Sequence, residues 1–333
     1  MNAIRKAAIA SLVLIFLVII AGSVVRTTGS GMGCPDWPKC YGHLIPPTNQ
    51  EQVTWHTNTH FNKGQMIVKD DALWSAKSNF TSADSYDELN WEKYTQHDYA
   101  IFNAKHTWIE YVNRLLGAAS GVPVLLLFVF SLLKIRSKPL LFLLSTGTLF
   151  MLGYEAWLGK LVVDGNLVPN AISKHMFGSL LIVGLLVTII SKTLERKRIE
   201  VTKSFKILVV ISFLLVTAQI LLGTQVREQI DEIAIKTGER GTWISLLDMK
   251  ILIHRSFSIL ILLSGIWLFW RNWKDDYALW SVGAFSSLIV LEIAVGVVLF
   301  YLDMPKIAQP VHLWISTAMF SFVFWAMIRT KVN

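Results

Sequence analysis

Eight apolar runs constrain this chain more than anything else in it. They lie near residues 7–25, 107–133, 139–162, 172–191, 207–226, 248–270, 279–301 and 308–328. Each is roughly 18–25 residues long, enough for a helix to cross a hydrocarbon core of about 30 Å. Inside that core every backbone N–H and C=O needs a partner within the protein, so such a run folds as an α-helix. The expected fold class is therefore an all-α polytopic membrane protein with eight transmembrane helices. Composition agrees, because only 16% of the residues are charged against about 25% in a soluble domain. Thirteen Trp and 18 Phe exclude a disordered chain. Two cysteines are too few for a small secreted disulfide scaffold.

The opening Met1-Asn-Ala-Ile-Arg-Lys6 followed by an apolar run resembles a signal peptide. No small-residue cleavage site follows the run, so it is expected to stay as the first span. No Arg- and Ser-rich transit segment precedes it, and no organelle address is expected.

Charge sets the expected direction of the spans. Arg5 and Lys6, the trio Lys134, Arg136 and Lys138, six basic residues between Lys192 and Lys206, Arg271 with Lys274, and Arg329 with Lys331 occupy the N-terminus, three turns and the C-terminus. The positive-inside rule makes all five segments cytoplasmic, and eight spans with both ends inside satisfy it. The net charge of +8 then reports topology and anionic lipid rather than nucleic acid. On the other side fall one long loop at 26–106 and shorter ones at 163–171, 227–247 and 302–307. The long loop holds Cys34 and Cys40 on the disulfide-permissive side. They either close a tight ring through Pro35-Asp-Trp-Pro-Lys39 or remain two thiols. The stretch 48–105 is polar with Trp55, Trp74 and Trp91, and is expected to form a partly helical cap against the membrane surface.

The sequence also repeats itself, the first thing to establish before motifs are read. Gly22-Ser-Val-Val-Arg26 closes the first span and Gly223-Thr-Gln-Val-Arg227 the fifth; Asn113-Arg114 in the second span matches His254-Arg255 in the sixth. Glu155 and Gly159 precede His175 by the same intervals at which Glu292 and Gly296 precede His312. Three correspondences in one order predict two four-helix halves in tandem, 1–200 carrying the large loop and 201–333, related by an axis along the membrane normal.

Ionisable groups inside spans are costly and mark function. His175, His254 and His312 are the histidines within spans, all near the non-cytoplasmic ends. Imidazoles on facing helices of one bundle can ligate a haem iron from both sides; the alternative for His254 and His312 is a pair hydrogen-bonded to neighbouring helices. The first half offers only His175, because Asn113 stands where His254 stands in the second. A bis-histidine iron is closed and suits electron transfer, whereas an iron with a weak position can bind a reactant. His106, about 10 Å further up the same helical face, is either a displaced ligand or an interfacial residue. Glu110, one turn from Asn113, either handles protons and substrate or pairs with Arg114 at i,i+4. Glu155 and Glu292 are expected to hydrogen-bond near a ligand. Arg26, Arg114, Arg227 and Arg255 lie near the outer span ends, placed for haem propionates or for snorkelling.

The run from Arg26 through Cys34-Pro-Asp-Trp-Pro-Lys-Cys40-Tyr-Gly42 to Ile45-Pro-Pro47, the segment Glu110-Tyr-Val-Asn-Arg114, and His175, His254 and His312 together resemble the haem A synthase family. The resemblance extends from the first span to the last. It implies oxidation of a ring methyl of haem O to a formyl group, by two hydroxylations and loss of water, to give haem A for terminal oxidases. It implies haem b held by His254 and His312, haem O with His175 at its iron, an essential Glu110 beside it, and a Cys34–Cys40 disulfide. It also implies a bacterial inner-membrane protein that works beside a haem O-forming farnesyltransferase and an electron donor; a homo-oligomer through lipid-facing surfaces is compatible with this. The family has histidine where Asn113 stands, so either His175 holds the substrate iron alone, or His106 or a loop histidine completes the site. The 48–105 insertion exceeds that of the short bacterial forms and could supply such a ligand. Two other classes fit parts of the pattern: a dihaem quinol electron-transfer protein, for which the chain offers three good ligands rather than four, and a non-enzymatic haem carrier or oxidase assembly factor. A transporter lacks support, since no matching spans are broken by Gly or Pro.

Overall fold

The structure is a computed structural model that describes residues 1–95, 101–164, 171–194 and 197–333. Most of the expected 163–171 connection, Arg196 of the basic turn and the end of the 48–105 stretch lie outside the described residues. Eight helices among the described residues are long and apolar enough to cross a membrane. These are α1 (Asn2–Thr28), α2 (Ala104–Leu132), α3 (Pro139–Asp164), α4 (Ala171–Thr193), α5 (Lys203–Thr237), α6 (Met249–Lys274), α7 (Trp280–Tyr301) and α8 (Ala308–Arg329). The chain is a multi-pass, predominantly α-helical membrane protein, as its apolar runs require.

The chain divides into two compact units. One comprises Met1–Ser23, Gly117–Glu155 and Pro169–Asn333; the other comprises Val24–Leu116 and Ala156–Val168. In the first, α5, α6, α7 and α8 pack in succession and α8 returns onto α5, closing a four-helix bundle, with α4 against α5 and α8. Its core is built from Val216, Ile220, Ile261, Leu268, Phe285, Ile289, Ile315 and Phe320, joined by Ile15 and Ile19 of α1 and by Leu180 and Val183 of α4. At one end, β6 (Ile199–Val201) pairs in parallel with β7 (Thr330–Val332). There Lys206 Nζ donates to the Met327 and Thr330 carbonyls, satisfying acceptors that the last turn of α8 leaves open.

Helix α5 is longer than its apolar run. Residues 227–237, expected in a loop, continue the helix to Thr237. The reason lies in side chains spaced for one helical face: Val226, Ile230 and Ile233 pack with Trp243, Leu299 and Met304. Arg227 also pairs with Asp231 one turn on at 2.6 Å. The helix stops at Gly238, whose φ of 69° is the left-handed cap that glycine adopts without strain.

The second unit corrects the expected helical cap. Apart from two single-turn helices, the regular secondary structure of its described insertion residues before α2 is β-strand. Strand β1 (His60–Phe61) pairs with β4 (Phe80–Thr81), and β2 (Met66–Lys69), β3 (Ala72–Ala76) and β5 (Trp91–Lys93) form an antiparallel sheet. Polar composition hid a hairpin signal. Lys69 pairs with Ala72 across Asp70 and Asp71, both at positive φ, the two-residue turn that matches strand twist. The sheet buries Ile67, Ala76 and Trp91 against Phe61, with Trp55, Trp74, Phe80 and Tyr86 around them. A second small core holds Cys34, Cys40, Tyr41, Val53, Met66 and Leu73.

Candidate functional site

Three groups of functional residues are assembled, two in the first unit and one in the second. In the α5–α8 bundle, His254 lies in the second turn of α6 and His312 in the second turn of α8. Their rings face each other with centroids 6.4 Å apart and planes at 72°. Each ring has a glycine beside it on a neighbouring helix, tightly packed at His254 and in ordinary contact at His312. A Cβ at Gly223 would stand 3.1 Å from His254 Cε1, and one at Gly296 would stand 3.5 Å from His312 Cε1. Gln219 Nε2 donates to the His254 carbonyl at 2.9 Å, fixing the backbone from which that ring projects. Glu292 Oε1 lies 3.3 Å from His312 Nδ1, within ion-pair reach but without hydrogen-bond alignment, since His312 Nδ1 is left unbonded. His254 Nδ1 and Gln219 Oε1 are also buried without a hydrogen-bond partner.

These features fit a haem. Two imidazoles on neighbouring helices with centroids 6.4 Å apart could hold one metal between them. Among the described residues no cluster of three or more His, Cys, Asp or Glu is arranged to hold a metal ion. The pair supplies two ligands only, as suits a metal whose other ligands come from a macrocycle.

The second group is at the start of α4. His175 Nδ1 hydrogen-bonds the carboxylate of Glu155 from α3, and Ser179 Oγ donates to the same carboxylate oxygen at 3.4 Å. Glu155 hydrogen-bonds its histidine, whereas Glu292 stands 3.3 Å from His312 Nδ1 without a hydrogen bond. A carboxylate on Nδ1 selects the tautomer that leaves Nε2 free as a ligand. The His175 side chain is 43% exposed while Glu155 is 7% exposed, so an anchored base carries an accessible ring. Ser173, two residues earlier, is tied to α5 through Thr224 Oγ1 at 2.9 Å and Glu228 Oε1 at 3.2 Å. This contact satisfies an amide that the first turn of a helix leaves open.

The third group is in the second unit. Cys34 and Cys40 form a disulfide, and the ring it closes is clasped by α2. Glu110 accepts from Cys34 N–H at 2.9 Å on one carboxylate oxygen and from Arg114 on the other. Arg114 in turn donates to the carbonyls of Asp36 at 2.5 Å, Lys39 at 3.0 Å and Cys34 at 3.2 Å. Thr107 Oγ1 donates to the Gly33 carbonyl at 2.7 Å. Gly33 is required there, because a Cβ would stand 2.7 Å from Thr107 N. Of the two readings of Glu110, the structure contains the ion pair with Arg114, joined by a contact to the loop. Burial pushes the Asp36 carboxyl up, against the amide of Gly42 that bonds it, and burial pushes the His43 imidazole down.

Asn113 Oδ1 is buried and bonded to nothing. His106 opens α2, its amide bonded to Asn103 Oδ1 at 3.2 Å. Arg227 donates to Gln309 at 2.5 Å as well as to Asp231, and Arg255 lies over the Phe300 ring at 5.3 Å. Sequence reasoning missed Gln219, Ser179 and Asp36. Gln219 carried a legible signal, being an amide inside a span one turn before Gly223; the roles of Ser179 and Asp36 depend on contacts between elements.

The comparisons agree on one relationship. The COX15-CtaA family model, described as cytochrome oxidase assembly protein, matches residues 5–72 and 62–324. A protein named heme A synthase from Shewanella oneidensis is 26% identical over 216 residues, covering 64% of this chain and 53% of that protein. Namesakes from Orientia tsutsugamushi (strain Ikeda) and Nitrosomonas eutropha are 29% and 27% identical over 45% and 47% of this chain. The chain spans about half the length of the first of these relatives and about a third of the others.

Proposed function

The chain belongs to the COX15-CtaA family of cytochrome oxidase assembly proteins, and from that premise we propose that it is a haem A synthase. Its reaction is the oxidation of the haem O ring methyl to a formyl group, for terminal oxidase biogenesis. The observation that carries this reading is the His254–His312 pair with ring centroids 6.4 Å apart, which no third His, Cys, Asp or Glu among the described residues joins in a metal-holding cluster. Haem b bound there supplies one-electron transfer.

The chain's own residues do the remaining work. Gly223 leaves the space that His254 needs, and Gln219 holds its backbone. His175, oriented by Glu155, presents Nε2 to the iron of the substrate haem O. Asn113 is a poor ligand in the family's histidine position, so His175 is the principal protein ligand of that iron. Glu110 and Arg114 hold the disulfide ring against α2. The pseudo-repeat assigns 1–200 to the substrate side and 201–333 to the haem b side. The basic turns support an orientation with both termini in the cytoplasm of a bacterial cell and the disulfide loop outside. A haem O-forming farnesyltransferase and the terminal oxidase are the partners this reaction implies.

A second reading, a haem carrier or assembly factor without chemistry on the porphyrin, draws support from two observations. Both oxygens of Glu110 are engaged in holding the loop, and Asn113 replaces a ligand. Haem extraction separates the two. Membranes that accumulate haem O are prepared with and without this protein, and their haems are resolved by reversed-phase chromatography. Haem A appearing only with the protein supports the synthase; haem O returned unchanged, with haem b copurifying, supports the carrier and refutes the synthase. An alcohol intermediate alone means that the first hydroxylation works and the second fails.

A further inference from the structure

The two halves repeat the Glu–His pair but do not repeat its closeness, and the residue three positions after each histidine differs between them. In the first half Glu155 hydrogen-bonds His175 directly. In the second, Glu292 stands 3.3 Å from His312 with no hydrogen bond formed. Three residues after each histidine, and so next to it on the same helical face, stand Gly178 and Ile315 respectively. A Cβ at Gly178 would overlap the Glu155 carboxylate and stand 2.9 Å from its Cδ. The carboxylate therefore occupies the space in which a side chain at 178 would begin. Ile315 is 1% exposed and carries a full branched side chain at the matching position. Ser179 adds a hydroxyl to the Glu155 carboxylate at 3.4 Å, whereas its counterpart Ser316 bonds the Leu313 carbonyl of its own helix at 2.9 Å.

We infer that Gly178 and Glu155 form a positioning device that makes His175 the more firmly oriented of the two carboxylate-flanked histidines. Its counterpart, Glu292 beside His312, is held back from that role. The inference rests on the haem-binding reading above and deepens it. A single histidine that must hold an iron without a strong second protein ligand gains most from a carboxylate on Nδ1, which fixes the ring and raises its donor strength. A histidine that shares its iron with His254 needs that help less.

The test uses the purified full-length protein in detergent, titrated with haem b. The two-histidine and one-histidine centres are followed by their different optical spectra, and each midpoint potential is read by redox titration. Glu155→Gln keeps the size of the side chain, and Gly178→Ala expels the carboxylate without changing it. Both variants are expected to weaken haem at the His175 centre by about 10- to 100-fold. Both should raise its potential by about 59 mV for each tenfold loss of ferric over ferrous affinity. Glu292→Gln should change the His254–His312 centre by less than threefold, and retention of that centre in every variant reports folding. Wild-type-like affinity and potential at the His175 centre in Glu155→Gln or Gly178→Ala would overturn the inference. So would an equal effect of Glu292→Gln at its own centre. Wild-type protein that takes up no haem overturns the parent reading and this one together, whereas uptake with unaltered variants overturns this one alone.

Discussion

Replacing Glu110 by alanine should release the disulfide loop, and the size of the effect follows from its contacts. Glu110 and Arg114 have side chains 4% and 12% exposed, so the pair is largely shielded from water. Removing one member of a buried pair costs about 3–5 kcal/mol. Arg114 would keep the carbonyls of Cys34, Asp36 and Lys39, which places the loss near the lower end, about 3 kcal/mol. The orphaned Cys34 N–H adds about 1 kcal/mol. Cys34 and Cys40 are 0% and 1% exposed, so a reductant reaches the disulfide only when the loop opens. At about 1.4 kcal/mol per tenfold, opening becomes at least a hundredfold more frequent. The assay is the rate of disulfide reduction in the detergent-solubilised protein, trapped by alkylation and read by mass. Glu110→Gln keeps an acceptor and the same volume, and its rate should rise only about tenfold, a loss of about 1–2 kcal/mol. A Glu110→Ala rate within threefold of wild type would refute the claim that this carboxylate holds the loop.

Three further outcomes follow. Asn113→Ala should retain more haem A-forming activity than Glu110→Ala at matched protein level, because Asn113 Oδ1 bonds nothing; equal losses would refute the ranking. Gly223→Val should displace His254, since even a Cβ there approaches its ring to 3.1 Å. Haem b content should fall severalfold while the chain still inserts, with an overpacking cost of about 1–3 kcal/mol, and full occupancy would contradict the assignment. The loop should also loosen in acid: burial holds the His43 imidazole below its ordinary value, and its Nε2 faces the Gln65 amide at 3.1 Å. The unfolded loop therefore binds the extra proton more readily. That stability is present above the ordinary histidine value of about 6.5 and is lost as pH falls below it. Disulfide reduction by a phosphine should accelerate from pH 7.5 to 5.5, and His43→Gln should flatten the profile.

Much of this protein could be read from one dimension because a bilayer imposes its demands locally. A spanning segment must satisfy its own backbone, so length and apolarity were enough to place eight helices, within about five residues at every end but the end of α5. The matching intervals were equally legible, and they paired Glu155 with His175 and Glu292 with His312 before any contact was known. Outside the bilayer that logic fails. The 48–105 stretch is polar in either secondary structure, and only the paired strands around Asp70 and Asp71 settle that it is a sheet. Helix α5 outran its apolar run because Val226, Ile230 and Ile233 found Trp243 and Leu299 to cover them, a partnership across distant sequence.

The same division runs through the functional residues. Which histidines and carboxylates lie within spans was determined by the sequence itself, since each is conspicuous where ionisable groups are costly. Their working state was decided by tertiary structure, because hydrogen bonds and close packing depend on ångström distances between elements far apart along the chain. Glu110 bonds Cys34 and Arg114, the His254 and His312 rings lie 6.4 Å apart in the bundle, and the Glu155 carboxylate fills the space beside Gly178 and hydrogen-bonds His175.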